Sequence, residues 1–167
     1  MTKSEIRSAV RARIKSLGPD EKAAASREAA RLLTQLPAWR DARSVMLFES
    51  MDDEIDTTPL ASLAWGKHVV VPRWSLRDRV MEAVDIHKRD SVVDPTSIDL
   101  FVIPGVAFTR SGQRLGRGAG FYDEFLLRAR RSERGGAIFV GYGFACQIVD
   151  SMPVDSHDIN MHEVIVA

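Results

Sequence analysis

The sequence predicts an α/β protein: a single domain over residues 1–167, with a three-layer α/β/α arrangement around an open, mainly parallel sheet. Three observations carry this expectation. Short continuous apolar runs recur at residues 44–48, 68–71, 100–103 and 137–141, the pattern of strands buried on both faces. Segments with helical spacing lie between several of them, so strands and helices alternate. A chain of 167 residues also suits one full core and leaves too little for two comfortable domains.

In chain order, Ile6, Val10 and Ile14 recur every fourth residue and Leu17 closes the stripe. This spacing predicts a helix over residues 3–17, with Lys3, Arg7 and Arg11 on a neighbouring face. Gly18-Pro19 ends it, and Asp20 is expected to cap a second helix that runs to about Leu36, ahead of Pro37. Residues 44–48 and 68–71 read as strands joined by a helix over 57–65. Residues 80–84 and 164–166 are weaker strand candidates, and polar residues 85–98, with Asp94-Pro95, read as an irregular connection. Residues 100–103 form a third buried strand, 121–131 a helix and 137–141 a fourth strand. Met46 and Cys146 read as interior residues.

Composition narrows the function classes. Lys plus Arg and Asp plus Glu each total 23, so no global field draws the chain to nucleic acid or to an anionic membrane. The basic run at residues 128–131 closes a predicted helix, where cations are favoured without any nucleic acid. One cysteine rules out an intrachain disulfide framework and a cysteine-clustered zinc site, and fits a reducing compartment. The longest apolar run, residues 100–108, is broken by Pro104 and Gly105 and is far below the roughly 20 residues of a membrane-spanning helix. The expectation is a cytoplasmic protein with small-molecule ligands, no membrane association and no obligate protein partner.

The stretch GQRLGRGAGFYDEFLLRAR, residues 112–130, carries the chemistry. Alternating Gly116, Gly118 and Gly120 let main-chain amides approach a ligand closely. The helix opening at Phe121 adds free amides and its dipole, and Arg114 and Arg117 add bidentate donors for phosphate oxygens. The spacing is neither G-x-G-x-x-G nor a loop ending in Gly-Lys-Ser/Thr, which sets aside Rossmann and Walker sites. A solvated glycine loop is the plainer alternative. Its place after a buried strand and ahead of a helix favours a ligand.

The strings FVIPGVAF (101–108) and GQRLGRGAGFYD (112–123) together resemble the central signature of the 5-formyltetrahydrofolate cyclo-ligase family, the methenyltetrahydrofolate synthetases. Weaker matches extend this along nearly the whole chain: Lys3 with Arg7, the acidic segment 50–56, Gln147, Pro153 and His157-Asp158. The resemblance implies ATP- and Mg²⁺-dependent closure of 5-formyltetrahydrofolate to 5,10-methenyltetrahydrofolate, with ADP and phosphate released. It assigns ATP to Lys3, Arg7, Arg114, Leu115, Gly116, Arg117, Gly118, Ala119, Gly120, Phe121 and Tyr122. Arg117 and Tyr122 are the implied catalytic residues; Met51, Glu54, Arg117 and Phe121 the implied folate contacts; and Asp123 and Asp158 the implied Mg²⁺ ligands.

Each residue also has a plainer role. Lys3 and Arg7 could form a solvated helix face, Asp123 favours a helix dipole, Asp158 caps turns, and Phe121 or Tyr122 packs in a core. The resemblance is incomplete on the folate side. Residues 85–98 form a shorter connection than the family usually has and lack an aromatic residue, Ala119 stands where glycine or lysine is usual, and His162 where aspartate is usual. Two alternatives therefore accompany the cyclo-ligase reading: a relative acting on another formyl or amide substrate, and a weakly catalytic nucleotide- or folate-binding regulator.

Overall fold

The computed structural model describes residues 1–75, 77–130 and 136–167. Strands β1 (Ser44–Met46), β2 (His68–Ser75), β3 (Val80–Asp85), β4 (Val92–Val93), β5 (Leu100–Ile103), β8 (Ile138–Gly143) and β9 (Glu163–Val166) form one sheet. A separate two-stranded ribbon consists of β6 (Ala107–Phe108) and β7 (Arg114–Leu115). The order in the sheet is β4-β3-β2-β1-β5-β8-β9. From β2 to β9 every pairing is parallel, while β3 and β4 join antiparallel at one edge.

Alternation along the strands sorts the core into two halves. Val45, Leu100, Val102, Val140 and Tyr142 face helices α1 (Lys3–Lys15), α2 (Pro19–Thr34), α3 (Pro37–Asp41) and α4 (Thr58–Ser62). Met46, Phe101, Ile103 and Phe139 face α5 (Phe121–Arg130) on the other side. Helices thus flank both faces, which explains why the inner strands read as unbroken apolar runs.

Several boundaries differ from expectation for identifiable reasons. The second helix is capped at Gly18, whose N–H donates to Glu21 Oε2 at 2.7 Å; Pro19 occupies the first turn, so Asp20 lies inside the helix. The expected helix over 57–65 is one short stretch, Thr58–Ser62, and the additional short helix α3 forms after Pro37. β2 continues past Val71 into a hairpin with β3, with Pro72 opposite Ala83. That is tolerated because the parallel pairing with β1 ends at Val70, leaving no partner that needs the missing N–H. Residues 85–98 are more ordered than an irregular connection: they hold β4 and a 3₁₀ turn, Pro95–Ser97, capped by Asp94 accepting from Thr96 N. Arg131, the expected end of the last helix and of the basic run, lies outside the described residues. Met46 is fully buried, and Cys146 packs half-buried against the core.

The β6–β7 ribbon is pinned to the sheet by Phe108, whose fully buried ring lies where side chains on Gly105 and Gly141 would stand. A Cβ on Gly141 would come within 2.7 Å of that ring, and one on Gly105 within 2.7 Å. Gly141→Ala is therefore expected to cost about 1–3 kcal/mol through overpacking. Urea unfolding would show this as a lower midpoint at an unchanged slope.

Candidate functional site

Strand β1 leads through α4 to β2 on one side, and β5 leads through α5 to β8 on the other. The order of connection therefore reverses between the parallel strands β1 and β5, and a crevice opens beyond their carboxyl ends. A cleft of about 620 Å³ lies there, with Phe48, Glu49, Met51 and Glu54 after β1, Pro104 and Gly105 after β5, and the glycine loop across it.

The helix α1 starts at this cleft because Thr2 and Glu5 form a capping box: Thr2 Oγ1 accepts from Glu5 N at 3.2 Å and Glu5 Oε2 accepts from Thr2 N at 2.7 Å. Its first turn then presents Lys3, which donates to Asp155 Oδ2 at 2.7 Å and Asp158 Oδ2 at 2.9 Å. One turn later, Arg7 Nε donates to the Gly116 carbonyl at 2.8 Å and holds the glycine loop against α1. The burial of Ile6, Val10 and Ile14 fixes which way this basic face points.

Arg114 enters from β7 and is buried. It donates to the Pro104 carbonyl at 3.2 Å and to Asp123 Oδ1 at 2.9 Å, with its guanidinium 5.7 Å from the Tyr122 ring centre. Leu115 is buried and its carbonyl accepts from Val106 N at 2.7 Å, so this half of the loop is rigid ribbon. Gly118 and Gly120, at φ 116° and 74°, then turn the chain into α5, with exposed Ala119 between them. Arg117 reaches across the cleft mouth to Asp53, Nη1 to Oδ2 at 3.1 Å, and to Glu54 Oε1 at 3.0 Å.

The expected site residues therefore converge on one cleft, which all of them line. Asp155 and Trp74 also take part and had no place in the sequence expectation, and Asp53, inside the expected acidic segment 50–56, had no role there. Asp53 and Asp155 are polar loop residues with no local pattern. Trp74 could have been found, since it follows Pro72 at the two-residue period of a strand.

The charges are already paired within the protein. The hydrogen bond from Arg117 leads the effects that hold the Asp53 carboxyl below its ordinary range, and Asp53 in turn raises the Arg117 guanidinium. Burial opposes ionisation of Asp158, but the Asp155 N–H and the Lys3 ammonium outweigh it and hold its carboxyl low. Burial, reinforced by Glu54, pushes the Tyr122 phenol up, so it stays protonated. Oxygen donors suited to a hard divalent cation are present at Asp123 and Asp158. Ligand atoms of Asp155, His157 and Asp158 lie within 4.8 Å of one another, and a cation, the Lys3 ammonium, already sits on two of these carboxylates. The residues fit Mg²⁺.

The sequence pattern of the 5-formyltetrahydrofolate cyclo-ligase family matches residues 1–167. The chain belongs to this family. It is 32% identical to the 5-formyltetrahydrofolate cyclo-ligase of Escherichia coli K12, over 93% of this chain and 95% of that protein. The mouse cyclo-ligase is 25% identical, over 98% and 92% of the two chains. Among solved structures, the Aquifex aeolicus 5,10-methenyltetrahydrofolate synthetase superposes with a TM-score of 0.83 at 26% identity, covering 99% of this chain and 90% of that one. The Mycoplasma pneumoniae synthetase gives 0.84 at 22% identity, over 99% and 98%, and shows the same fold. These family members are enzymes, and the cleft is the candidate active site. Among the described residues no helix is long and apolar enough to cross a membrane.

Two ion pairs should separate by stability. The Arg114–Asp123 pair is 3% and 18% exposed, so Asp123→Ala leaves a buried cation and is expected to cost about 3–5 kcal/mol. The Arg117–Asp53 pair is 37% and 41% exposed, and Asp53→Ala should cost under about 1 kcal/mol. Parallel urea titrations measure both. Acid titration tests the Lys3–Asp158 contact. A depressed Asp158 stabilises the fold above its unfolded value, about 3.9, and loses that contribution as pH falls through the lower folded value. The stability advantage of wild type over Lys3→Met should therefore hold from neutrality to about pH 4 and vanish below it.

Proposed function

We propose that the protein, acting as one domain in the cytoplasm, closes 5-formyltetrahydrofolate to 5,10-methenyltetrahydrofolate in an ATP- and Mg²⁺-dependent reaction that releases ADP and phosphate. The observation that carries this is the composition of the cleft. Cations from α1, β7 and the glycine loop line it together with aromatic and apolar side chains from β2 and α5. The cations suit a triphosphate and the aromatic and apolar side chains a fused heteroaromatic ring.

The chemistry requires positioning more than covalent help. The formyl oxygen is a poor leaving group until it attacks the terminal phosphorus of ATP and displaces ADP. The substrate's N10 then attacks the formyl carbon, its proton is lost, and the oxygen departs with phosphate. In this reading Lys3, Arg7 and Arg114 bind the polyphosphate, and Arg117 leaves Asp53 to meet the transferring phosphoryl group. Tyr122 donates a hydrogen bond from its protonated phenol. Glu54 accepts from the pterin N–H groups beside Met51 and Phe121. Asp123 and Asp158 would hold Mg²⁺, which when bound would supply charge neutralisation to the phosphates.

Absorbance-monitored formation of the methenyl product, with ATP, Mg²⁺ and 5-formyltetrahydrofolate each omitted in turn, tests the reading directly. Product is expected only in the complete mixture. Arg117→Ala should lower turnover at least about a hundredfold while circular dichroism stays unchanged. Near-normal turnover by that folded variant would remove the role given to the loop.

A further inference from the structure

Arg117 straps the glycine loop to the acidic turn across the cleft mouth. Its Nη1 donates to Asp53 Oδ2 at 3.1 Å and its Nη2 to Glu54 Oε1 at 3.0 Å. The other oxygen of Glu54, Oε2, accepts from Met51 N at 3.0 Å, so both carboxylate oxygens are engaged within the protein. With its side chain only 10% exposed, Glu54 has little free surface to offer a ligand while Arg117 stays on it. The two halves of the strap are held differently. The acidic side is braced: Ser50 Oγ donates to the Ile55 carbonyl at 2.8 Å, Thr57 Oγ1 donates to the Phe48 carbonyl at 2.7 Å, and Ile55 is buried. On the other side residues 117–120 are exposed, and Gly118 and Gly120 stand at φ 116° and 74°, backbone that lets this segment turn. The glycine loop is therefore the half that gives way.

We propose that Arg117 couples the two substrates: in the empty protein it occupies Glu54, and a nucleotide whose phosphates draw it away frees Glu54 to accept from the second substrate. The coupling rests on the reaction proposed for the same cleft and adds an order to it, nucleotide first. Asp53 is the part of the strap with no share in either ligand. It holds Arg117 back, and its removal favours the nucleotide. By linkage, the factor by which nucleotide tightens the folate is also the factor by which the folate tightens nucleotide.

Calorimetric titration of 5-formyltetrahydrofolate, with and without saturating adenylyl imidodiphosphate and Mg²⁺, tests this without turnover. In wild type the nucleotide analogue is expected to tighten folate binding at least about fivefold, and in Arg117→Met the ratio should fall to within about twofold of one. Asp53→Ala, which removes an exposed pair, should bind the analogue about two- to fivefold more tightly than wild type. Weaker binding of the analogue by that variant, or a ratio in folded Arg117→Met equal to that of wild type, overturns the coupling. Folate that binds equally with and without the analogue, in a protein whose complete mixture forms product, overturns the coupling alone. Nucleotide-tightened folate binding in a protein that forms no product supports the coupling and overturns the proposed reaction instead.

Discussion

The packing of one aromatic ring against glycines at the carboxyl edge of the sheet sets where the glycine loop meets the cleft. Phe108 can lie flat over β5 and β8 only because Gly105 and Gly141 carry no side chains. That contact fixes the β6–β7 ribbon, and the ribbon delivers Arg114 into the cleft already oriented by the Pro104 carbonyl. Gln147 reinforces the same corner: its Nε2 donates to the Gly105 carbonyl at 2.6 Å while its Oε1 accepts from Phe144 N at 2.7 Å. The exposed half of the glycine loop, residues 117–120, therefore hangs from a buried anchor.

Around this anchor the cleft holds its charges in internal pairs. Lys3 rests on Asp155 and Asp158, Arg114 on Asp123, and Arg117 on Asp53 and Glu54. Such pairing spares the protein the cost of several like charges facing one another in a partly dry crevice. It also makes ligand binding an exchange of partners. In the proposed reaction phosphate oxygens would replace carboxylates on the cations, and the released carboxylates would become available to a divalent ion.

Much of this was legible in the residues. The inner strands and the helix faces followed from periodicity because burial on both sheet faces leaves a strong apolar signal. The glycine loop was legible because its residue types have few other uses in that order. What the sequence hid was non-local. The β6–β7 ribbon consists of two-residue strands that carry no periodicity. The cap at Gly18 instead of Asp20 depends on a proline shifting the helix start by two positions. Asp53 and Asp155 resemble any solvated acid until the fold brings Arg117 and Lys3 to them. Trp74 lies beyond the expected end of β2, outside the apolar run that marks the strand in the sequence.

The contact between Lys3 and Asp158 joins positions 155 residues apart. A nucleotide gripped by α1 and the 155–158 turn would therefore fasten the two ends of the described chain to each other as well as to the sheet. The binding site and the closure of the fold are in this sense one event. On that reading a frayed N-terminal helix would be an empty site, and an occupied site would protect both regions against local opening and proteolysis in proportion to ligand concentration.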